Sequence, residues 1–227
     1  MKEESIKISI EDENMTDKVE INENLENKNL EYVGEGEDMD LFLILDRSGS
    51  MYGSVSDTIN GYNAFIEKQL VKNHNIKVTA ILFDDEYEVL YSKKPIDEVK
   101  PLTEREYYVR GCTALLDAVG KTVNTYKREV NKGMCVIISD GYENASREFT
   151  KAQIKDMVEN TGWEFIFIGA DIDSYGESSK IGIRRNRTAN FSKTTEGINE
   201  MFKSVDIAVN HCYNGESFDE DWKENLE

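Results

Sequence analysis

Four short, almost unbroken apolar runs constrain this chain more than any other feature: MDLFLIL at 39–45, IKVTAILF at 76–83, MCVIIS at 134–139 and WEFIFIG at 163–169. A strand that is apolar at every position has no solvent face, so it must be covered on both sides. Between the runs lie stretches of helical spacing. Ile59, Tyr62, Phe65, Ile66 and Leu70 align over 55–73, and Leu115 or Leu116, Val119, Val123 and Tyr126 align over 113–130. Strand and helix in alternation predict an α/β, Rossmann-like open sheet, mostly parallel, with helices on both faces. Only Asp84, Asp85 and Glu86 separate IKVTAILF from YEVLYS at 87–92. A connection that short permits a hairpin alone, so one strand runs against the rest. Further on, Thr150 is suited to cap a helix carrying Ile154, Met157 and Val158. A short helix near 175–181, a weak strand at 188–192 and a final helix with Ile198, Met201, Phe202 and Val205 complete the body.

A chain of 227 residues, 39% hydrophobic, suffices for one such domain with modest tails. Its net charge of -18 opposes nucleic acid and anionic membranes, and the one basic run, IRRNR at 183–187, reads as a solvated face. The charge is uneven. Residues 1–38 hold 13 acidic and 4 basic side chains, a net of -9, and are expected to be an acidic, disordered leader in which Ile6, Ile8 and Ile10 alone have strand spacing. The domain proper spans 39–212, and 213–227 is an acidic C-terminal tail in which Phe218 and Trp222 can serve as a docking peptide. There is no membrane-length apolar stretch and no apolar signal region, and Cys112, Cys135 and Cys212 lack any C-x-x-C spacing. A cytoplasmic protein with reduced thiols is expected, with Cys135 in the core.

The first apolar run ends in DRSGS. Asp46 closes the strand, and Ser48 and Ser50 follow at two-residue spacing, so an extended loop can turn all three oxygens toward one point, with Gly49 and Gly53 allowing a tight bend. Ligands of open α/β sheets bind beyond the carboxyl ends of the strands. Thr113 in GCTALLDA, where a helix begins, and Asp140 in VIISDGYEN, where a strand ends, belong to the same rim. Two carboxylates within ~4 Å repel by about 4 kcal/mol at an effective dielectric of 20, which a cation relieves. Hard oxygens without His or Cys favour Mg²⁺, Mn²⁺ or Ca²⁺ over Zn²⁺ or copper, and two carboxylates among neutral hydroxyls leave room for an acidic group from outside.

DRSGSM, GCTALLDA and ISDGYEN together resemble the von Willebrand factor A (VWA) domain and its metal-ion-dependent adhesion site (MIDAS), over roughly residues 39–212. The resemblance implies that Asp46, Ser48, Ser50, Thr113 and Asp140 bind metal. It further implies a six-stranded sheet with the hairpin strand at one edge, and an Mg²⁺ or Mn²⁺ ion completed by the carboxylate of an acidic protein or peptide. The oligomeric state is left open. The acidic C-terminal tail is one candidate source of that carboxylate. Two other readings of the same residues remain: a Mg²⁺-dependent phosphohydrolase or phosphotransferase with Asp46 as nucleophile, and a scaffold with a purely structural metal. Against the first, Ser48 stands where a second acid is expected and no lysine is placed for a phosphoryl group. AVGKT at 118–122 lacks the earlier glycine of a phosphate loop. Asp84, Asp85, Asp171 and Asp173 read as solvated acids on the rim, and His74 and His211 as surface or capping residues.

Overall fold

The computed structural model describes residues 38–72, 74–216 and 219–226; the leader, with its strand-like stretch at 5–11, lies outside the described residues. In chain order the elements are β1 (Met39–Asp46), α1 (Val55–Val71), β2 (Ile76–Phe83), β3 (Tyr87–Pro95), α2 (Leu115–Tyr126), β4 (Gly133–Ser139), α3 (Lys151–Asn160), β5 (Glu164–Gly169), α4 (Ser174–Lys180), β6 (Thr188–Asn190) and α5 (Thr195–Asn214). The described residues form a six-stranded sheet in the order β3-β2-β1-β4-β5-β6, parallel except for the β2–β3 hairpin, which leaves β3 antiparallel at one edge. From β1 the chain winds outward to β3, then crosses to β4 on the other flank of β1 and winds out to β6. The winding reverses between β1 and β4, and a crevice opens there beyond the carboxyl ends. Asp46 closes β1 and Asp140 directly follows β4, so the topology brings both to the crevice.

Burial on both faces accounts for the unbroken apolar strands. Leu41, Leu43 and Leu45 of β1 join Val136 and Ile138 of β4 beneath Tyr62 and Phe65 of α1 and Phe202 and Val205 of α5. Phe42 and Ile44 point the other way, with Cys135 and Ile137, under Val119 and Val123 of α2 and Ile154 of α3. Where α1 meets α5, a Cβ on Gly61 would stand 2.3 Å from the Phe202 ring, so the approach depends on glycine. Thr150 caps α3 as expected, in a reciprocal pairing with Gln153. No helix among the described residues is long and apolar enough to cross a membrane.

Four details depart from the sequence pattern. In α1 the buried stripe ends on Gln69, which is fully enclosed and donates to Asp206 Oδ1 of α5 at 2.5 Å, while Leu70 is 45% exposed. The α2 helix starts two residues later than its periodicity suggests. The Thr113 carbonyl, which a helix would offer to the Asp117 N–H, accepts instead from the N–H groups of Asn144 and Ala145, and the Asp117 N–H donates to Ser146 Oγ. The IRRNR run is not a solvated face throughout: Arg187 is buried and its Nε donates to Glu164 at 2.9 Å. Finally, the described part of the acidic tail packs on the domain. Trp222 is fully buried, with its indole N–H donating to the Asn186 carbonyl at 2.9 Å, and Lys223 Nζ reaches the carbonyls of Arg185 and Thr188, each at 3.0 Å. These contacts hold the tail at the amino end of β6, whereas Asp46 and Asp140 lie at the carboxyl ends of β1 and β4.

Candidate metal centre

Asp46 is fully buried, and every oxygen it has is fixed. Its carbonyl accepts from the Tyr107 hydroxyl at 2.6 Å, its Oδ1 from the Ser48 N–H at 2.7 Å and its Oδ2 from the Ser139 hydroxyl at 2.5 Å. The Ser48 and Ser50 hydroxyls are 3.0 Å apart, and the Ser50 hydroxyl donates to Asp140 Oδ1 at 2.5 Å. A continuous hydrogen-bond chain therefore runs from Asp46 through Ser48 and Ser50 to Asp140. Thr113, 2% exposed, flanks it: a Cβ on Gly141 would lie 2.5 Å from Thr113 Oγ1, so the hydroxyl sits against the turn that follows Asp140. The structure thus brings all five sequence-derived residues to one place. Burial pushes the Asp46 carboxyl up from its ordinary 3.8 to about 6, against the lowering effect of its bonds to Ser139 and Ser48; the Asp140 carboxylate adds a smaller upward push.

No family model and no curated protein matches the chain. Solved structures do. Proximal thread matrix protein 1 from the mussel byssus, with a zinc-occupied MIDAS motif, is similar over 75% of this chain and 45% of its own, at 15% identity and a TM-score of 0.58. The vWF domain of the type V pili tip protein Mfa5 from Porphyromonas gingivalis is similar over 77% of this chain and 97% of its own, at 11% identity and a TM-score of 0.57. A von Willebrand factor type A structure from Catenulispora acidiphila is similar over 76% of this chain and 42% of its own, at 12% identity and a TM-score of 0.55.

The chain has the von Willebrand factor A fold. It spans about half the length of the mussel structures it matches, 45–46% of each. Identities this low establish the VWA architecture and leave the chemistry of the site to its own residues.

Several residues that fix this VWA site carry no motif. Arg47, fully buried, donates through Nε to Asp84 Oδ2 at 2.9 Å, and Arg110 Nε reaches the same oxygen at 2.8 Å, with the Tyr108 ring near both guanidinium groups. Asp84 is 1% exposed, a buried counter-ion and not the solvated acid its sequence context suggested. Because the Asp84 carbonyl also accepts from the Ala114 N–H, this one residue links the Asp46 loop to the Thr113 loop. The Thr113 and Asp140 loops are stapled by two more carboxylates. Glu143 accepts from the N–H of Leu116 at the start of α2 and from those of Ala145 and Ser146. Asp117 accepts from the N–H groups of Arg147, Glu148 and Phe149. Of the other rim acids, Asp85 binds the Cys112 N–H and Asp173 caps α4. Lys193, just past β6, lies 3.0 Å from Asp140, so a lysine does stand at the site where the sequence suggested none.

Proposed function

We propose that this VWA fold is a divalent-metal-dependent protein-binding module. In this reading Asp46, Ser48, Ser50, Thr113 and Asp140 hold an Mg²⁺ or Mn²⁺ ion, and an acidic group of a partner protein or peptide completes it. The observation that carries the reading is the hydrogen-bonded convergence of two buried carboxylates with the Ser48 and Ser50 hydroxyls, and with Thr113 Oγ1 against the adjoining turn, at the winding reversal of the sheet. Among the described residues no three His, Cys, Asp or Glu side chains gather into a cluster, so hydroxyls must supply part of any coordination. An all-oxygen set of this kind suits Mg²⁺ or Mn²⁺, with Ca²⁺ a third hard ion to test. Zinc belongs in the same titration, since it occupies the MIDAS motif of the mussel protein. Two carboxylates balance the formal charge of a dication, and the few neutral hydroxyls beside them leave coordination room that an external carboxylate can fill.

The surroundings support a protein ligand. Tyr52, Tyr108 and Tyr142 are 81%, 44% and 51% exposed, one on each of the segments that carry the Asp46, Thr113 and Asp140 groups. Exposed tyrosines of this kind are frequent anchors of protein interfaces. A net charge of -18 repels a uniformly acidic partner, so the partner presents its carboxylate from a neutral or basic surface. The binding reading is favoured over phosphoryl transfer because both carboxylate oxygens of the enclosed Asp46 already accept hydrogen bonds, which leaves it poorly presented as a nucleophile.

Two measurements test the module. Immobilised protein in Mg²⁺ should retain a partner that chelation releases and that Asp140→Ala fails to retain; retention indifferent to both would refute the reading. The second is pH dependence. Because the Asp46 carboxyl is pushed up to about 6, a proton competes with the cation below that value, and Mn²⁺ affinity should weaken about fivefold from pH 6 to pH 5 while changing little above pH 7. Calorimetric titration across that range gives the slope, and a flat profile would remove Asp46 from the coordination.

A further inference from the structure

We infer that Lys193 sets how tightly the site takes a divalent cation, acting as a tethered competitor for Asp140; the inference rests on the metal-site reading above. The Lys193 ammonium bridges two carboxylates, 3.0 Å from Asp140 Oδ2 and 2.9 Å from Asp171 Oδ2. Asp140 is nearly enclosed, and its other oxygen accepts the Ser50 hydroxyl. One oxygen therefore faces the hydroxyl chain, and the other is held by a positive charge that belongs to the protein itself.

The position of that charge is fixed by the fold. Phe191 donates its N–H to the Gly169 carbonyl beside β5, and Thr194 caps α5 by accepting from the Gly197 N–H at 3.0 Å. Lys193 lies between these two anchors and points back to the crevice. Asp171 stands in the turn after β5 with φ 56°, 66% exposed, on the outer side of the ammonium. A dication entering beside Asp140 meets the repulsion of the ammonium and must share the carboxylate with it. Asp171 draws the ammonium outward and so relieves part of that opposition. The position of Lys193 between the two acids is what tunes the site, lowering its affinity for the cation while keeping a second positive charge within reach of an arriving carboxylate.

The test is calorimetric titration of the full chain with Mn²⁺ and, separately, Mg²⁺. Lys193→Met is expected to bind each roughly tenfold more tightly. Asp171→Asn, in which asparagine tolerates the left-handed backbone, is expected to bind several-fold more weakly, because the ammonium then rests on Asp140 alone. In the Lys193→Met background the Asp171→Asn effect should largely disappear. A lysine with a merely structural role gives no such change of sign. Lys193→Gln, a second neutralising variant, carries the same expectation should the methionine variant melt early. Unchanged or weaker uptake by the neutral variants overturns the role of Lys193 while leaving the metal site standing. No uptake by wild type or by any variant overturns the metal-site reading itself, whereas uptake seen only without Lys193 supports strong competition.

Discussion

Asp84→Ala is expected to destabilise the fold by about 3–5 kcal/mol, the effect of stripping one partner from a buried ion pair. Arg47 has no exposed surface and Asp84 has 1%. The Asp84 carboxylate accepts from Arg47 Nε and Arg110 Nε through one oxygen and from the Glu86 N–H, at 2.6 Å, through the other. Without it the Arg47 guanidinium stays enclosed and uncompensated. Glu88 lies 2.7 Å from Arg47 Nη1, but at 47% exposure it is solvated and out of hydrogen-bond alignment, so it replaces little of the loss. Asp84→Asn keeps the shape and one acceptor and should lose less. Urea unfolding measures both. Pairing Asp84→Ala with Arg47→Met should restore much of the stability, because the desolvated charge leaves together with its partner. A loss below about 1 kcal/mol for Asp84→Ala would mean that Arg47 draws its compensation from elsewhere.

The unequal legibility of the sequence has a physical origin. Strands buried on both faces leave a local signature, so β1, β2, β4 and β5 can be read from windows of six to eight residues, and the short link after Phe83 dictates the hairpin. Asp46, Ser48, Ser50, Thr113 and Asp140 are legible for a related reason: each sits where an element begins or ends, and spacing reveals boundaries. What escapes is set by partners far away in the chain. The start of α2 is decided by Glu143, Asn144 and Ser146, which take over hydrogen bonds the helix would otherwise make. Arg47 occupies the unspecified position of D-x-S-x-S, and only the arrival of Asp84 and Arg110 explains an arginine there. Lys193 belongs to no motif at all. Trp222 was legible as a docking residue of the acidic tail, but not its seat, since composition does not say that the indole is buried beside the segment that leads into β6.

Asp46→Asn should move the two properties of the site in opposite directions, abolishing cation uptake while stabilising the metal-free fold. The folded Asp46 carboxyl titrates at about 6, above its ordinary 3.8, because burial disfavours the anion. A raised carboxyl pKa means that the folded state holds its proton more tightly than the unfolded chain. Its favourable contribution is complete below about pH 4 and is lost as pH rises through about 6, a difference of roughly 3 kcal/mol at neutral pH. Asparagine removes that burden. Its carbonyl oxygen can still accept from the Ser48 N–H, and its amide can donate to Ser139 Oγ, whose own proton already has a second acceptor in the Gly141 carbonyl at 3.3 Å. The metal-free variant should therefore be about 1–3 kcal/mol more stable than wild type at pH 7.5, with the advantage gone at pH 4, where the wild-type carboxyl is protonated in the fold. Thermal melts at the two pH values, each with and without Mn²⁺, separate the effects: Mn²⁺ should raise the wild-type midpoint at pH 7.5 and leave that of the variant where it was. A metal-free variant less stable than wild type at pH 7.5 would make the Asp46 anion a structural asset held by Ser48 and Ser139. A variant that still responds to Mn²⁺ would show that the cation does not depend on the charge at the end of β1.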